Sequence, residues 1–562
     1  MEVKKLSEVP MGAMWTQSPG VNNILYGYNA DDRESASVAH IYGQNLSAAE
    51  SMTASVAPWG WAPATLKPTA DQEFLNGINR FCVHESAHQP LVDKKPGLTL
   101  GPFGQWFNRN DTWADQARPW ITYLARNSFL LQQGRFAADI IYFYGEDTNL
   151  TAVYRNRSPN LPAGYGFDYV NADALIHVLG VDSKGRITTP GGVTYRLLGL
   201  NRTSQSMSLP VLRAIYKLVL EGATVAGAKP VDDPSLADDR AEFQALAHEL
   251  FGDGTGVHRV GKGAVYAGET VAEALTAMRV PPDFTYTPNP GGEANLQFVH
   301  RRLSGGDIYF IDNRSDRPAS TEAAFRVTGR TAQLWFPDSG KTAPASYSIA
   351  DGRTTVPLQL EPWGTVFVVF RESARRSSLA VAQNTTATLA TIHGPWTLAF
   401  EPGRGAPPSI RIDHLIDWST SSDAGVKYFS GMGTYTQTFE ASPGWFRKGT
   451  HLWIDLGDVK NLAVVTVNGK NLGEAWHAPY RVDATAALKP GANRIEIEVV
   501  NAWVNRLIGD QQPGATKYAY TDIAAYRADS PLQVSGLIGP VTVVREGLPV
   551  AQTAKEGNQV SR

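Results

Sequence analysis

Glu50 closes the short segment Leu46–Ala49 and is followed by Ser51, Met52 and Thr53. Barrels and doubly wound sheets present their chemistry at the C-terminal ends of parallel strands, so a carboxylate there is placed to serve as acid, base or nucleophile. A salt-bridged or surface glutamate is the alternative. His84-Glu85-Ser86-Ala87-His88 has the spacing of two zinc ligands one helical turn apart with a glutamate base between them. That chemistry needs a helix running through the motif. Arg80–Val83 before it is β-prone and Pro90 stops a helix at once, so the zinc reading fails on context. At a strand end, His84, Glu85 and His88 make hydrogen-bonding partners for a polar ligand such as a sugar; a structural histidine pair is the alternative.

Two further stretches carry polar groups near turns. Gly101–Trp113, GPFGQWFNRNDTW, sets Gly101 and Gly104 around Pro102 as for a fixed turn, followed by aromatic rings with Asn108, Arg109 and Asn110. It reads equally as a cleft lining or as an ordered loop closing a barrel. Gly145-Glu146-Asp147 follows an apolar strand; a turn or helix cap fits it better than catalytic acids. No Ser-His-Asp set, phosphate loop or dinucleotide fingerprint stands out.

These residues need a scaffold, and 562 residues exceed a single hydrophobic core, which stops growing near roughly 250–300 residues. Charged residues are 19% and hydrophobic residues 43%, which excludes a disordered chain. A net charge of -3 from 51 basic and 54 acidic residues gives no electrostatic reason to expect nucleic acid. Fourteen Trp, 21 Tyr and 21 Phe suit stacking on sugar faces, although β-sandwich cores absorb aromatics equally well. Cys82 is the single cysteine, so no intrachain disulfide forms and both redox compartments remain open. No apolar run of about 18 residues predicts a membrane span. The first residues lack the apolar stretch of a signal peptide, implying a cytoplasmic protein or a true N-terminus outside this sequence.

The expected organisation is multidomain α/β plus all-β. Residues 1–134 read as alternating strands and helices, with a helix from Pro119 to Gly134 carrying Trp120, Ile121, Leu124 and Leu131 inward. Residues 135–280 read as a small doubly wound α/β domain, with Ala138–Tyr144 and Tyr195–Leu200 as buried strands and a helix over Leu209–Glu221. Residues 281–378 have the short alternating strands of a β-sandwich. A Ser/Ala/Thr-rich stretch at 376–392 reads as a linker. A second, larger β-domain spans 379–548, and 549–562 is expected to be a disordered tail.

Taken together, ASVAHIYGQNLSAAESMT, FCVHESAHQP, GPFGQWFNRNDTW and LLQQGRFAADIIYFYGED resemble the catalytic half of glycoside hydrolase family 106, the α-L-rhamnosidases. VKYFSGMGTYTQTF, VNGKNLGEAWHAPYRVD and NAWVNRLIGD resemble that family's C-terminal galactose-binding-like jelly roll. The resemblance covers nearly all of residues 10–546. It implies a (β/α)8 catalytic barrel, incomplete in this chain, and hydrolysis of terminal α-L-rhamnosyl linkages with inversion. It implies Glu50 as general base, with the general acid upstream of this sequence. His84, Glu85 and His88 would then hold the sugar and Trp106 would stack on it. A calcium ion is implied as cofactor with ligands unassigned, and no organic cofactor. Rhamnose-containing glycosides or polysaccharides are the implied partners, and a periplasmic or extracellular location is implied for the full-length protein. At Ala13 the family pattern carries Glu, so one site carboxylate is expected to be missing. Another glycoside hydrolase, β-galactosidase- or glucuronidase-like, is the alternative, as is a non-catalytic carbohydrate-binding protein. An incomplete barrel also implies exposed sheet edges and poor solubility.

Overall fold

The structure, a computed structural model, describes residues 1–16, 26–101, 103, 105–146, 150 and 161–548. The tail at 549–562, and Pro102, Gly104 and Asp147 of the motifs above, lie outside the described residues.

Three parallel strands, β1 (Met11–Trp15), β2 (Ala48–Thr53) and β3 (Arg80–Val83), form one sheet in the order β1-β2-β3. Helices α1 (Tyr26–Tyr42) and α2 (Pro63–Asn76) connect them. Pro63 starts α2, where a missing N–H costs nothing, and Gly77 ends it at φ 98, a conformation that L side chains resist. Side chains alternate across each strand. Gly12 and Met14 of β1 are buried, and Ser51 of β2 donates to Glu73 of α2, so this face meets the helices. Met11, Ala13, Arg80 and Cys82 lie on the other face with Glu50, and Met11, Arg80 and Cys82 are exposed. One face is covered and the other open, whereas parallel sheets are ordinarily covered on both.

Helix α3 (Arg118–Leu131) follows and buries Trp120, Tyr123, Leu124 and Leu131. Ile121, expected inside, is 51% exposed. Tyr123 takes the inward place because its hydroxyl reaches Asp71 and Thr365 across the domain boundary.

The α/β unit holds a six-stranded sheet. Strands Phe167–Val170, Ile140–Phe143, Leu197–Leu200, Thr224–Gly227 and Gly263–Ala267 run parallel, and Gly256–Val260 adds an antiparallel edge. The helix Leu209–Glu221 crosses over between two of them and buries Val211, Leu212, Ile215, Leu218 and Val219. A buried clasp ties this unit to α1: His40 Nδ1 lies 2.9 Å from Asp168 Oδ1, and the Tyr195 hydroxyl donates to Asp168 Oδ2 at 2.7 Å.

The sandwich stacks a five-stranded on a six-stranded sheet. Arg135–Phe136, assigned from sequence to the α/β domain, pairs with Arg302 and Arg301 as an edge strand of the sandwich. The C-terminal unit stacks a four-stranded on a six-stranded sheet around Trp396, Trp418 and Tyr435. The stretch expected to be a linker contains a strand, Thr385–Thr391, paired with Thr542–Gly547 at the other end of the unit. Local composition there is linker-like, but the threonines suit a pleated edge once a partner strand is present.

Candidate active site

Glu50 sits mid-strand on the open face of the sheet, in register with Ala13 on β1 and Cys82 on β3. Residues three apart on a regular strand point to opposite faces, so Thr53 should face the helices. It does not, because β1 and β2 slip register: Met14 pairs with Ser51 and Trp15 with Thr53. Met52 is the extra residue of a bulge, at φ 70 and fully buried. The slip turns Thr53 back to Glu50, and its hydroxyl donates to Glu50 Oε1 at 2.8 Å. One oxygen of the carboxylate is thereby oriented.

Aromatic rings border this carboxylate. Trp15 stacks on Tyr28 at 5.6 Å, and Phe103, 46% exposed, leans on Trp15 at 5.6 Å. Burial pushes the Tyr28 phenol up, and the charge of Glu50 adds to that. Phe103 belongs to the Gly101–Trp113 stretch read from sequence as a cleft lining or an ordered loop, whereas Trp15 and Tyr28 were not singled out, and only the tertiary arrangement gathers the three rings.

His84 continues the ladder past β3, donating its N–H to the Ser51 carbonyl at 2.9 Å. No helix runs through residues 84–90, so the two histidines do not share a helical face. The His84 ring is 27% exposed, with Nε2 at 3.7 Å from Glu85 Oε2. His88 is exposed. Glu85 is buried and accepts from Trp106 Nε1 at 3.0 Å. The stacking role expected of Trp106 is not available: its ring is 0% exposed and packs against Trp59 at 4.7 Å. A fully buried indole orients Glu85 and has no free face for a sugar.

The loop leaving β2 is held from outside. Ala57 and Trp59 adopt φ 51 and φ 60, unfavourable for L residues and sustained only by surrounding contacts. The C-terminal unit supplies them: the Tyr526 hydroxyl donates to the Pro58 carbonyl at 2.7 Å, and Trp503 donates from Nε1 to the Asn110 carbonyl at 2.8 Å. Trp59, Trp106, Trp503 and Leu507 form one buried cluster. Tyr520–Thr521 also pairs in parallel with Pro96–Gly97.

Behind the sheet, Asp32 and Glu73 are buried between the helices and strands. Burial pushes both carboxyls well above their usual range, and the charge of Asp32 adds to the effect on Glu73. Gly12 makes room for Asp32, since a Cβ there would stand 2.8 Å from Asp32 Oδ1.

Among the described residues no group of three or more His, Cys, Asp or Glu side chains gathers as a metal site, and calcium draws equally on backbone and amide oxygens. Among the described residues no helix is long and apolar enough to cross a membrane.

Residues 1–349 match a family described as alpha-L-rhamnosidase, glycoside hydrolase family 106. Residues 427–530 match the galactose-binding domain-like module of glycosyl hydrolase family 2. A rhamnosidase structure from Novosphingobium sp. PP1Y is 47% identical with a TM-score of 0.91, over 96% of this chain and 51% of that one. A putative beta-glucuronidase of Formosa agariphila is 24% identical over 91% of this chain and 61% of its own length. The chain thus spans about half to three-fifths of the length of these relatives.

Proposed function

Because the chain belongs to the alpha-L-rhamnosidase family, glycoside hydrolase family 106, we propose that it carries the base-bearing part of a site that hydrolyses terminal α-L-rhamnosyl linkages with inversion. One observation carries this reading. Glu50 is the carboxylate on the open face of a parallel sheet, oriented by Thr53 and bordered by the rings of Trp15, Tyr28 and Phe103. A rhamnosyl ring lying against those aromatics would bring its anomeric carbon over the carboxylate. Glu50 then removes a proton from a water molecule as the water attacks the carbon from the side opposite the departing oxygen. That oxygen must gain a proton from a second carboxyl, roughly 6.5–9.5 Å away in an inverting site.

We assign that acid to a part of the barrel outside this sequence. Two features support it. The neighbours of Glu50 in register are Ala13 and Cys82, neither of them an acid, and the face they share is open. On this reading β1, β2 and β3 are part of a (β/α)8 barrel, and the uncovered face looks into its lumen. His84 lies one step beyond Cys82 along that face and contributes a hydrogen bond to a sugar hydroxyl. Glu85 acts through His84 and Trp106, and exposed His88 lies at the rim. A periplasmic or extracellular location for the whole protein goes with a rhamnose-bearing glycoside or polysaccharide as substrate.

A second reading, sugar binding without turnover, is favoured by Ala13, which leaves Glu50 as a lone acid on β1–β3. One assay separates the two. Release of a chromophore from an α-L-rhamnoside is measured for this chain and for a form extended upstream, each with its Glu50→Gln counterpart, with and without calcium. Activity in the extended form that Glu50→Gln abolishes supports the hydrolase. A folded extended form that binds rhamnosides without cleaving them supports the binding reading.

A further inference from the structure

A cavity of about 1100 Å3 opens where the end of α3, the meander at 180–195 and the strand ends of the sandwich meet. Arg135, Arg186, Arg196, Arg302, Arg326 and Arg371 line it, against only Asp139 and Glu372. The chain as a whole is at -3, so this positive charge is local and not a reflection of composition. Part of it is neutralised. Asp139 accepts from Arg196 Nε at 3.0 Å and from Arg326 Nη2 at 2.9 and 2.7 Å, and Arg186 pairs with Asp182 at 2.7 Å. Three guanidiniums are left over. Among the described residues Arg135 and Arg371 have no side-chain partner, and Arg302 has only Asp307 at 3.8 Å.

Arg135 and Arg302 are direct cross-strand partners in an antiparallel pair. Like charges opposite each other on one face destabilise a sheet unless something anionic lies between them. Arg135 is also seated rather than loose. Its guanidinium packs against bare Gly192, where a Cβ would come within 2.8 Å of Nη1. Trp335 and Phe129, the latter 63% exposed, supply ring faces in the same wall. Forked N–H donors match carboxylate or sulfate oxygens, and aromatic faces match the C–H face of a sugar ring. The volume suits an oligosaccharide segment better than a lone ion.

The cavity lies at the far end of the parallel sheet from the candidate active site. Asn45, which precedes β2, donates to the Gln132 carbonyl at 2.9 Å and accepts from Arg301 at 3.2 Å, beside the cavity wall. Thr53 ends β2 on the opposite side, and Glu50, mid-strand, is turned to it. We propose that this cavity is an accessory binding site for an acidic saccharide, its carboxylate or sulfate held by Arg135, Arg302 and Arg371 and a sugar ring set against Trp335. The proposal goes beyond the hydrolytic reading and does not depend on it, because binding is measured without turnover.

Calorimetric titration of the full chain at physiological salt tests it, with a trigalacturonate, a sulfated trisaccharide of equal charge and a neutral trigalactose as probes. At least one acidic trisaccharide binds, and the neutral one binds at least about tenfold more weakly; comparison of the two acidic arms identifies carboxylate or sulfate as the preferred group. Losing charged hydrogen bonds at two arginines lowers affinity by about tenfold or more in Arg302→Gln/Arg371→Gln. The melting midpoint of that variant holds, since both side chains are solvent-exposed. Glu50→Gln binds like the parent, which keeps this outcome separate from failure of the hydrolase reading. The proposal is overturned by equal binding of the neutral sugar, or by unchanged affinity in the double variant. It is equally overturned if inorganic sulfate competes at the same concentration as the saccharide, or if an oligonucleotide of matched charge binds as tightly.

Discussion

The two faces of the sheet β1–β2–β3 treat their carboxylates in opposite ways. On the helix side, Asp32 and Glu73 are fully buried, and burial holds both towards the neutral form. On the open side, Glu50 sits where a ligand can reach it, with one oxygen held by Thr53 and, among the described residues, no hydrogen bond to the other. Ser51 and Glu50 are adjacent residues, yet one supports the scaffold through Glu73 and the other faces the reaction. Strand alternation alone makes this division. A carboxylate's role here is decided by what covers its face.

The sharpest way to break the comparison is to neutralise one acid on each side. Glu50→Gln is expected to lower turnover of an α-L-rhamnoside by about 10^2–10^4-fold in a form that shows turnover, as loss of a general base does, with no change in melting midpoint. A fall in the midpoint instead would place Glu50 with the scaffold acids.

Next in size is the cluster that holds the loop after β2. Trp503→Ala removes a buried indole from the contact with Trp59 and Trp106 and should cost about 3–5 kcal/mol. Limited proteolysis should then cut within residues 54–62 ahead of the rest of the chain. If cleavage stays uniform, the loop keeps its shape without the C-terminal unit.

Gly12→Ala probes how tightly the covered face is packed. The added methyl meets Asp32 Oδ1 at 2.8 Å and the Asp31 backbone at 2.9 Å, and overpacking of this kind costs about 1–3 kcal/mol. The matching change on the open face, Ala13→Ser, should leave denaturant stability within about 0.5 kcal/mol, as surface changes do.

The last test of the covered face reads a slope in place of a single loss. A carboxyl whose folded value is raised binds its proton more tightly in the native state, so unfolding releases a proton once the pH passes the ordinary value. For Glu73 that stabilisation is complete below about 4.5 and is lost progressively as the pH rises towards the raised value. Each such group contributes up to about 1.4 kcal/mol per pH unit across its window. Glu73→Gln should flatten the decline in stability from pH 5 to pH 8, leaving the share due to Asp32. An unaltered slope would mean that Glu73 is ionised in the folded protein.

Much of the fold was legible in the sequence because it rests on local pattern. Helix Leu209–Glu221 has the expected ends, since its apolar spacing, Pro210 near the start and Gly222 after it agree. Strand Thr365–Phe370 also matches, as a continuous β-prone run inside a sandwich sheet. Thr385–Thr391 did not read as a strand because its partner lies more than 150 residues away. Ile121 and Tyr123 exchanged places because a tyrosine hydroxyl found buried partners on α2 and in the sandwich.

For the candidate site the division is similar. The sequence by itself determined which residues could act, Glu50, His84, Glu85 and His88, and that Pro90 keeps the histidines off a common helix. It also determined the alternation that puts Glu50 and Ser51 on opposite faces. Only the tertiary structure decided that Thr53 returns to Glu50, because a bulge at Met52 depends on how β1 pairs with β2. It alone decided that Trp106 is buried support, because Trp59 and Trp503 come to it from distant parts of the chain. It alone brought Arg135 opposite Arg302, a pairing set by strands far apart in sequence. Local pattern fixes the direction of a side chain within its own element, whereas the partners that bury, turn or charge its surroundings come from contacts that local pattern does not contain.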